Sequence, residues 1–80
     1  MDLLDFVKKF AEQLDDTDPV IVKSDTDFHE LEEWSSLSAL LIMGMIFQEY
    51  RIEINGKEIR NARTVEDLYR IVESKSQHNV

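Results

Sequence analysis

Ser35 and Ser36 stand at the mouth of a nearly uninterrupted apolar segment, Leu37 to Tyr50, which is expected to be a buried helix. A serine in that place can cap the first turn by accepting a hydrogen bond from a backbone N–H. It can also hold an anion, because the unpaired N–H groups and the helix dipole stabilise negative charge there by about 0.3–1 kcal/mol. Other chemistries fare worse. Ser36, His29 and Asp27 would make a nucleophilic triad on paper, but both partners fall in a stretch without helical or strand period, and nothing resembles a nucleophile elbow. His29 and His78 without a cysteine do not make a zinc site. Asp25-Thr26-Asp27 opens like a calcium loop, yet Glu30 stands where that loop needs glycine and Ser36 where it needs a bidentate glutamate. With Gly44 and Gly56 the only glycines, there is no glycine-rich phosphate loop.

Ser36-Leu37 at the start of the apolar segment and Tyr50-Arg51-Ile52-Glu53-Ile54 past its end carry a more specific signal. In residue type and spacing they resemble the acyl carrier proteins, in which an Asp-Ser-Leu motif opens the second helix and an aromatic residue with an Ile-Glu-Ile-type segment follows it. The resemblance is strongest from Trp34 to Val72. It implies a 4'-phosphopantetheine arm on Ser36 and an acyl pocket lined by Phe28, Leu40, Ile46, Ile54, Ile59 and Ala62. It also implies a partner-binding face at Leu37, Ser38, Leu41, Phe47 and Gln48, where acids are typical of the family and only Glu49 remains here. The implied partners are a phosphopantetheinyl transferase and acyl-loading and acyl-transfer enzymes. The implied role is carriage of acyl thioesters rather than catalysis, with fatty acid or related acyl-chain biosynthesis as the first pathway. One position departs from the pattern: Ser35 stands where the family has aspartate, and Glu32 and Glu33 are the nearest replacements.

Two other readings compete. The scarcity of acids on the second helix suits a specialised aminoacyl or secondary-metabolite carrier. Ser35 in place of aspartate suits an acidic helical adaptor without a prosthetic group, in which Ser36 is only a cap.

Eighty residues make one small domain with a thin core. No cysteine is present, so any thiol chemistry needs a thiol supplied by a prosthetic group. Charge is uneven. Residues 1–34 hold eleven carboxylates against three lysines, a balance of −8, whereas residues 35–80 hold six acids and six bases. Such a field repels nucleic acid and anionic membrane and steers basic protein surfaces. With no long apolar span and no basic leader, the expectation is a cytoplasmic monomer.

The elements that must position Ser36 follow from period and punctuation. Leu3, Val7, Phe10 and Leu14 predict an amphipathic helix over residues 2–15, ended by Asp15-Asp16-Thr17-Asp18-Pro19. A connection of about twenty residues follows, anchored by Val20-Ile21-Val22, Phe28, Leu31 and Trp34, with a helical turn available around Phe28 to Glu33. The second helix is expected over 36–50. Ile52 to Ile59 alternates across Asn55-Gly56, a strong hairpin signal, but a lone two-stranded hairpin is marginal in water. An extended segment, a turn and a short helix over 57–61 are predicted instead. Thr64-Val65-Glu66-Asp67 fits a capping box that opens a last helix over 64–74. The whole is an all-α, four-helix acyl-carrier-like bundle, three longer helices and one short, with a long first loop. Residues 1–73 form the ordered core and 74–80 a frayed tail.

Overall fold

Short local signals fix the start of every helix. The computed structural model describes residues 1–78, with side chains as far as Ser76. Asp2 caps α1 (Leu3–Glu12) by accepting from the Leu4 N–H, and Ser35 caps α2 (Ser36–Tyr50). Asn55 and Glu58 close a reciprocal capping box on α3 (Gly56–Asn61), with hydrogen bonds of 2.8 and 3.0 Å. At α4 (Val65–His78) the Asp67 N–H donates to Thr64 Oγ1 and the Thr64 N–H to an Asp67 carboxylate oxygen, each at 3.1 Å. Among the described residues the chain is all-helical, with two single-turn 3₁₀ helices, Pro19–Ile21 and Phe28–Glu30, and no strand.

The core is one cluster to which every α-helix contributes. Phe6 and Phe10 of α1, Ile42 and Ile46 of α2, Ile59 of α3, and Val65, Leu68 and Val72 of α4 are buried, with Phe28 of the loop among them. Each such side chain contributes roughly 1.5–3 kcal/mol on leaving water. Aromatic rings form the join between α1 and the loop. Phe28 lies 5.4 Å from Phe10 and 4.8 Å from Trp34, and Trp34 stacks parallel to Phe10 at 6.2 Å.

The long first loop is tied down at its middle and closed across its ends. Its Thr26 and Ser24 carbonyls accept from the Val65 and Glu66 N–H groups at 3.1 and 2.9 Å, and an isolated antiparallel bridge joins Asp27 to Thr64. These bonds satisfy N–H groups that the first turn of α4 cannot pair internally. Across its ends the Glu33 carboxylate accepts from the Asp16 N–H at 3.0 Å and from Thr17 Oγ1 at 2.6 Å. The residues just before Ser36 are thereby pinned to the turn after α1.

Several expectations need correction. Helix α1 stops at Glu12, three residues short of the predicted end, although Leu14 remains buried. The expected anchors Val20 and Ile21 are 76% and 54% exposed, and only Val22 of that triplet enters the core. The hairpin is absent, as expected, and α3 begins one residue earlier than predicted because Asn55 serves as its cap. Helix α4 runs through the supposed tail as far as His78, and Lys75 on that extra turn grips Glu58 at 2.7 Å and the Glu53 carbonyl at 2.8 Å. Asn79 and Val80 lie outside the described residues, as does the side chain of His78.

Candidate functional site

Ser36 is the first residue of α2, and the residue before it does the capping. Ser35 Oγ accepts from the Ser38 N–H at 3.4 Å, and the Ser35 carbonyl takes the Ala39 N–H at 3.0 Å. Ser38 Oγ donates to the Glu33 carbonyl at 3.0 Å, which fixes the approach of the chain to the helix. The Ser36 hydroxyl is exposed and has no hydrogen-bond partner among the described residues. The exposed Ser36 hydroxyl and the helix cap are therefore separate groups.

A groove of about 510 Å³ opens at Ser36 between α2 and α3. Trp34, Leu40, Met43 and Ile59 give it apolar walls, and His29, Ser35 and Arg60 give it polar ones. His29 is held by a 2.8 Å hydrogen bond between Nε2 and the Ala62 carbonyl. A carbonyl only accepts, so Nε2 carries the proton. Asp27 is engaged elsewhere, by the His29 backbone N–H at 3.1 Å and by Arg63 at 3.5 Å. The three residues of the paper triad thus do not form a chain of hydrogen bonds.

The residues assigned to an acyl pocket divide into two groups. Phe28, Ile46, Ile54 and Ala62 are buried in the core and do not line the groove. Ile59 is buried and also lines the groove, where it meets Leu40, which is 61% exposed. The residues assigned to a partner-binding face divide as well. Leu37, Leu41, Phe47 and Gln48 are exposed on α2, whereas Ser38 is 4% exposed and committed to the Glu33 carbonyl, so it lies off that face. Gly44 is exposed on α2, and a Cβ built on it would meet nothing within 4 Å, so no segment of the described chain packs closely against it.

Of the two acids nearest Ser35, Glu33 is occupied by Asp16 and Thr17, and Glu32 is exposed. Sequence reasoning missed Arg60, Met43 and Trp34 as walls of the groove. A signal existed for Arg60, a base one residue beyond apolar Ile59 on a short helix, but the facing of a six-residue helix cannot be read without its neighbour.

Among the described residues no cluster of His, Asp and Glu could hold a metal ion, and no helix is long and apolar enough to cross a membrane. Comparison with protein-family models, with curated proteins and with solved structures found no match.

Proposed function

We propose that the chain is an acyl carrier protein that holds acyl intermediates on a 4'-phosphopantetheine arm joined to Ser36. The observation that carries this reading is the division of labour at the start of α2. Ser35 caps the helix, which leaves the Ser36 hydroxyl exposed in its first turn, at the mouth of a groove. If Ser36 served only as a cap, its oxygen would be the one accepting from the backbone. Aspartate and serine are comparable N-caps, so Ser35 keeps the structural half of what an aspartate does there.

When bound, the arm supplies a terminal thiol that the cysteine-free chain lacks, and an acyl group rides on it as a thioester. The chain's own residues do the rest. The positive end of α2 favours the phosphodiester on Ser36. Leu40, Met43 and Ile59 offer an apolar wall beside it. Leu37, Leu41 and Phe47, with Gln48, form the face that loading and transfer enzymes grip, and the acidic first half draws basic partner surfaces toward it. Because none of those four residues is acidic and Glu49 is turned to Lys9 of α1 at 3.1 Å, that face supports a specialised carrier, for acyl or aminoacyl groups, within the wider fatty acid and secondary-metabolite chemistry.

The test is incubation with coenzyme A and a promiscuous phosphopantetheinyl transferase. One phosphopantetheine should be added, the modified peptide should contain Ser36, and Ser36→Ala should abolish the addition. Modification of Ser36→Ala, or none of the wild type while a control carrier is converted, would contradict the proposal.

A further inference from the structure

The groove at Ser36 has one permanently charged wall, Arg60 of α3. Its Nη1 lies 3.3 Å from where a Cβ on Gly56 would be, so the side chain is folded back over the first turn of its own helix, and glycine there leaves it room. The charge is not used within the described protein. Glu58, the one carboxylate on α3, is taken by Lys75 at 2.7 Å and by the Asn55 N–H at 3.0 Å. Among the described residues no ion pair engages Arg60, nor Lys8, Lys23, Arg51 or Lys57, whereas Lys9, Arg63, Arg70 and Lys75 are paired; of the five unpaired bases Arg60 is the one that lines the groove. In a chain of net charge −8, an unpaired guanidinium on a groove wall points to an anion from outside the polypeptide.

We infer that Arg60 is a positioning residue for the phosphodiester on Ser36, pairing with its oxygens and laying the arm along Leu40, Met43 and Ile59. This rests on the carrier reading. The chemistry fits on three counts. Ser36 and Arg60 line the same groove from its two helices. The guanidinium fork matches phosphate oxygens in a bidentate way that an ammonium cannot. The branched, methyl-bearing part of the arm that follows the phosphate is apolar, like the wall it would lie on. Because the site is open to solvent, the pairing is weak and salt-sensitive, so the arm is parked and readily released to a partner's active site. A carboxylate at the end of a dicarboxylic cargo offers the same chemistry to Arg60, and the experiment separates the two sources.

The full chain is converted with coenzyme A and transferase to the cargo-free, arm-bearing form, and its mass is checked. Melting temperatures of the unmodified and modified forms are then compared for wild type, Arg60→Lys and Arg60→Gln at low and moderate salt, alongside the ³¹P resonance of the phosphodiester. At low salt the modified wild type should melt about 2–4 °C above the unmodified protein. The increment should shrink in Arg60→Lys, vanish in Arg60→Gln and fall with salt, and the ³¹P resonance should move in the glutamine variant. The unmodified variants should melt alike. An equal increment and unchanged resonance in all three would overturn the role of Arg60 and leave the carrier reading intact, since the mass has already shown the arm. An increment that appears only with a succinyl cargo, and not with the free arm or a butyryl cargo, would also overturn it by placing the anion in the cargo. Failure of the wild type to gain mass while a control carrier does would overturn both.

Discussion

Adjacent serine hydroxyls do different things at the start of α2, and that difference is measurable without any partner. Ser35 Oγ satisfies the Ser38 N–H, so Ser35→Ala should cost about 1 kcal/mol, the usual loss for a serine cap. Ser36 Oγ has no partner among the described residues, so Ser36→Ala should change stability by less than about 0.5 kcal/mol, as for other surface positions. Denaturant unfolding of the two variants checks the order, and a larger loss for Ser36→Ala would make Ser36 the true cap and weaken the proposed role. A charged residue farther along the chain gives a second expectation. The Lys75 ammonium, and then the Asn55 N–H, hold the Glu58 carboxyl below its ordinary value of 4.5. A depressed carboxylate stabilises the fold above its unfolded pKa, and that contribution is lost as pH falls through the folded value. Glu58→Gln should therefore be less stable than wild type at pH 7, and the gap should close as the pH drops below about 4.5. A gap that persists undiminished at pH 3 would mean that the carboxylate charge is not what Lys75 and Asn55 recognise.

At the scale of elements, α2 presents leucines and a phenylalanine to solvent on the side away from the core. Leu41 and Phe47 are 44% and 46% exposed, so replacing both with glutamate should leave the fold intact by circular dichroism. If this face grips a partner, the double variant should bind it less tightly, mainly through faster dissociation, in stopped-flow or surface-based kinetics. Binding as tight as wild type would make those residues neutral surface. Which residues of α2 face inward was not legible in the sequence. The buried stripe is Ser38, Ile42, Met45 and Ile46, and its first member is polar while apolar residues continue round the rest of the circumference. With no polar face, the helical period has no phase, so the outer place of Ser38 and the inner place of Leu40 rest on the resemblance alone. Helix starts, by contrast, were legible because caps are local: Thr64 with Asp67 declares α4 within four residues. The loop was only partly legible. Phe28 and Trp34 are large enough to be assigned to the core on type alone, whereas Val20, Ile21 and Val22 are alike in type and differ only in tertiary surroundings. The groove was least legible, because it needs the relative placement of α2 and α3.

For the molecule as a whole, the imbalance of charge outweighs any single pair. Eleven carboxylates and three lysines share residues 1–34, and the ion pairs of the described chain are surface contacts worth little individually. Self-repulsion should dominate, so the melting temperature should rise from low to moderate salt, where the Debye length falls to about 8–10 Å. A fall over that range would mean that screened ion pairs, such as Lys9 with Asp5 and Glu49, matter more than the net field. On the carrier proposal the same asymmetry would separate attraction from grip, since the acids lie mainly before Ser36 and the apolar face lies after it. The carrier proposal presupposes that the chain carries an arm, and the most direct measurement is the intact mass of the protein purified from its native cell. The account predicts the mass of the polypeptide plus one phosphopantetheine, bare or acylated, with the addition on Ser36. A population wholly at the mass of the unmodified polypeptide would contradict it.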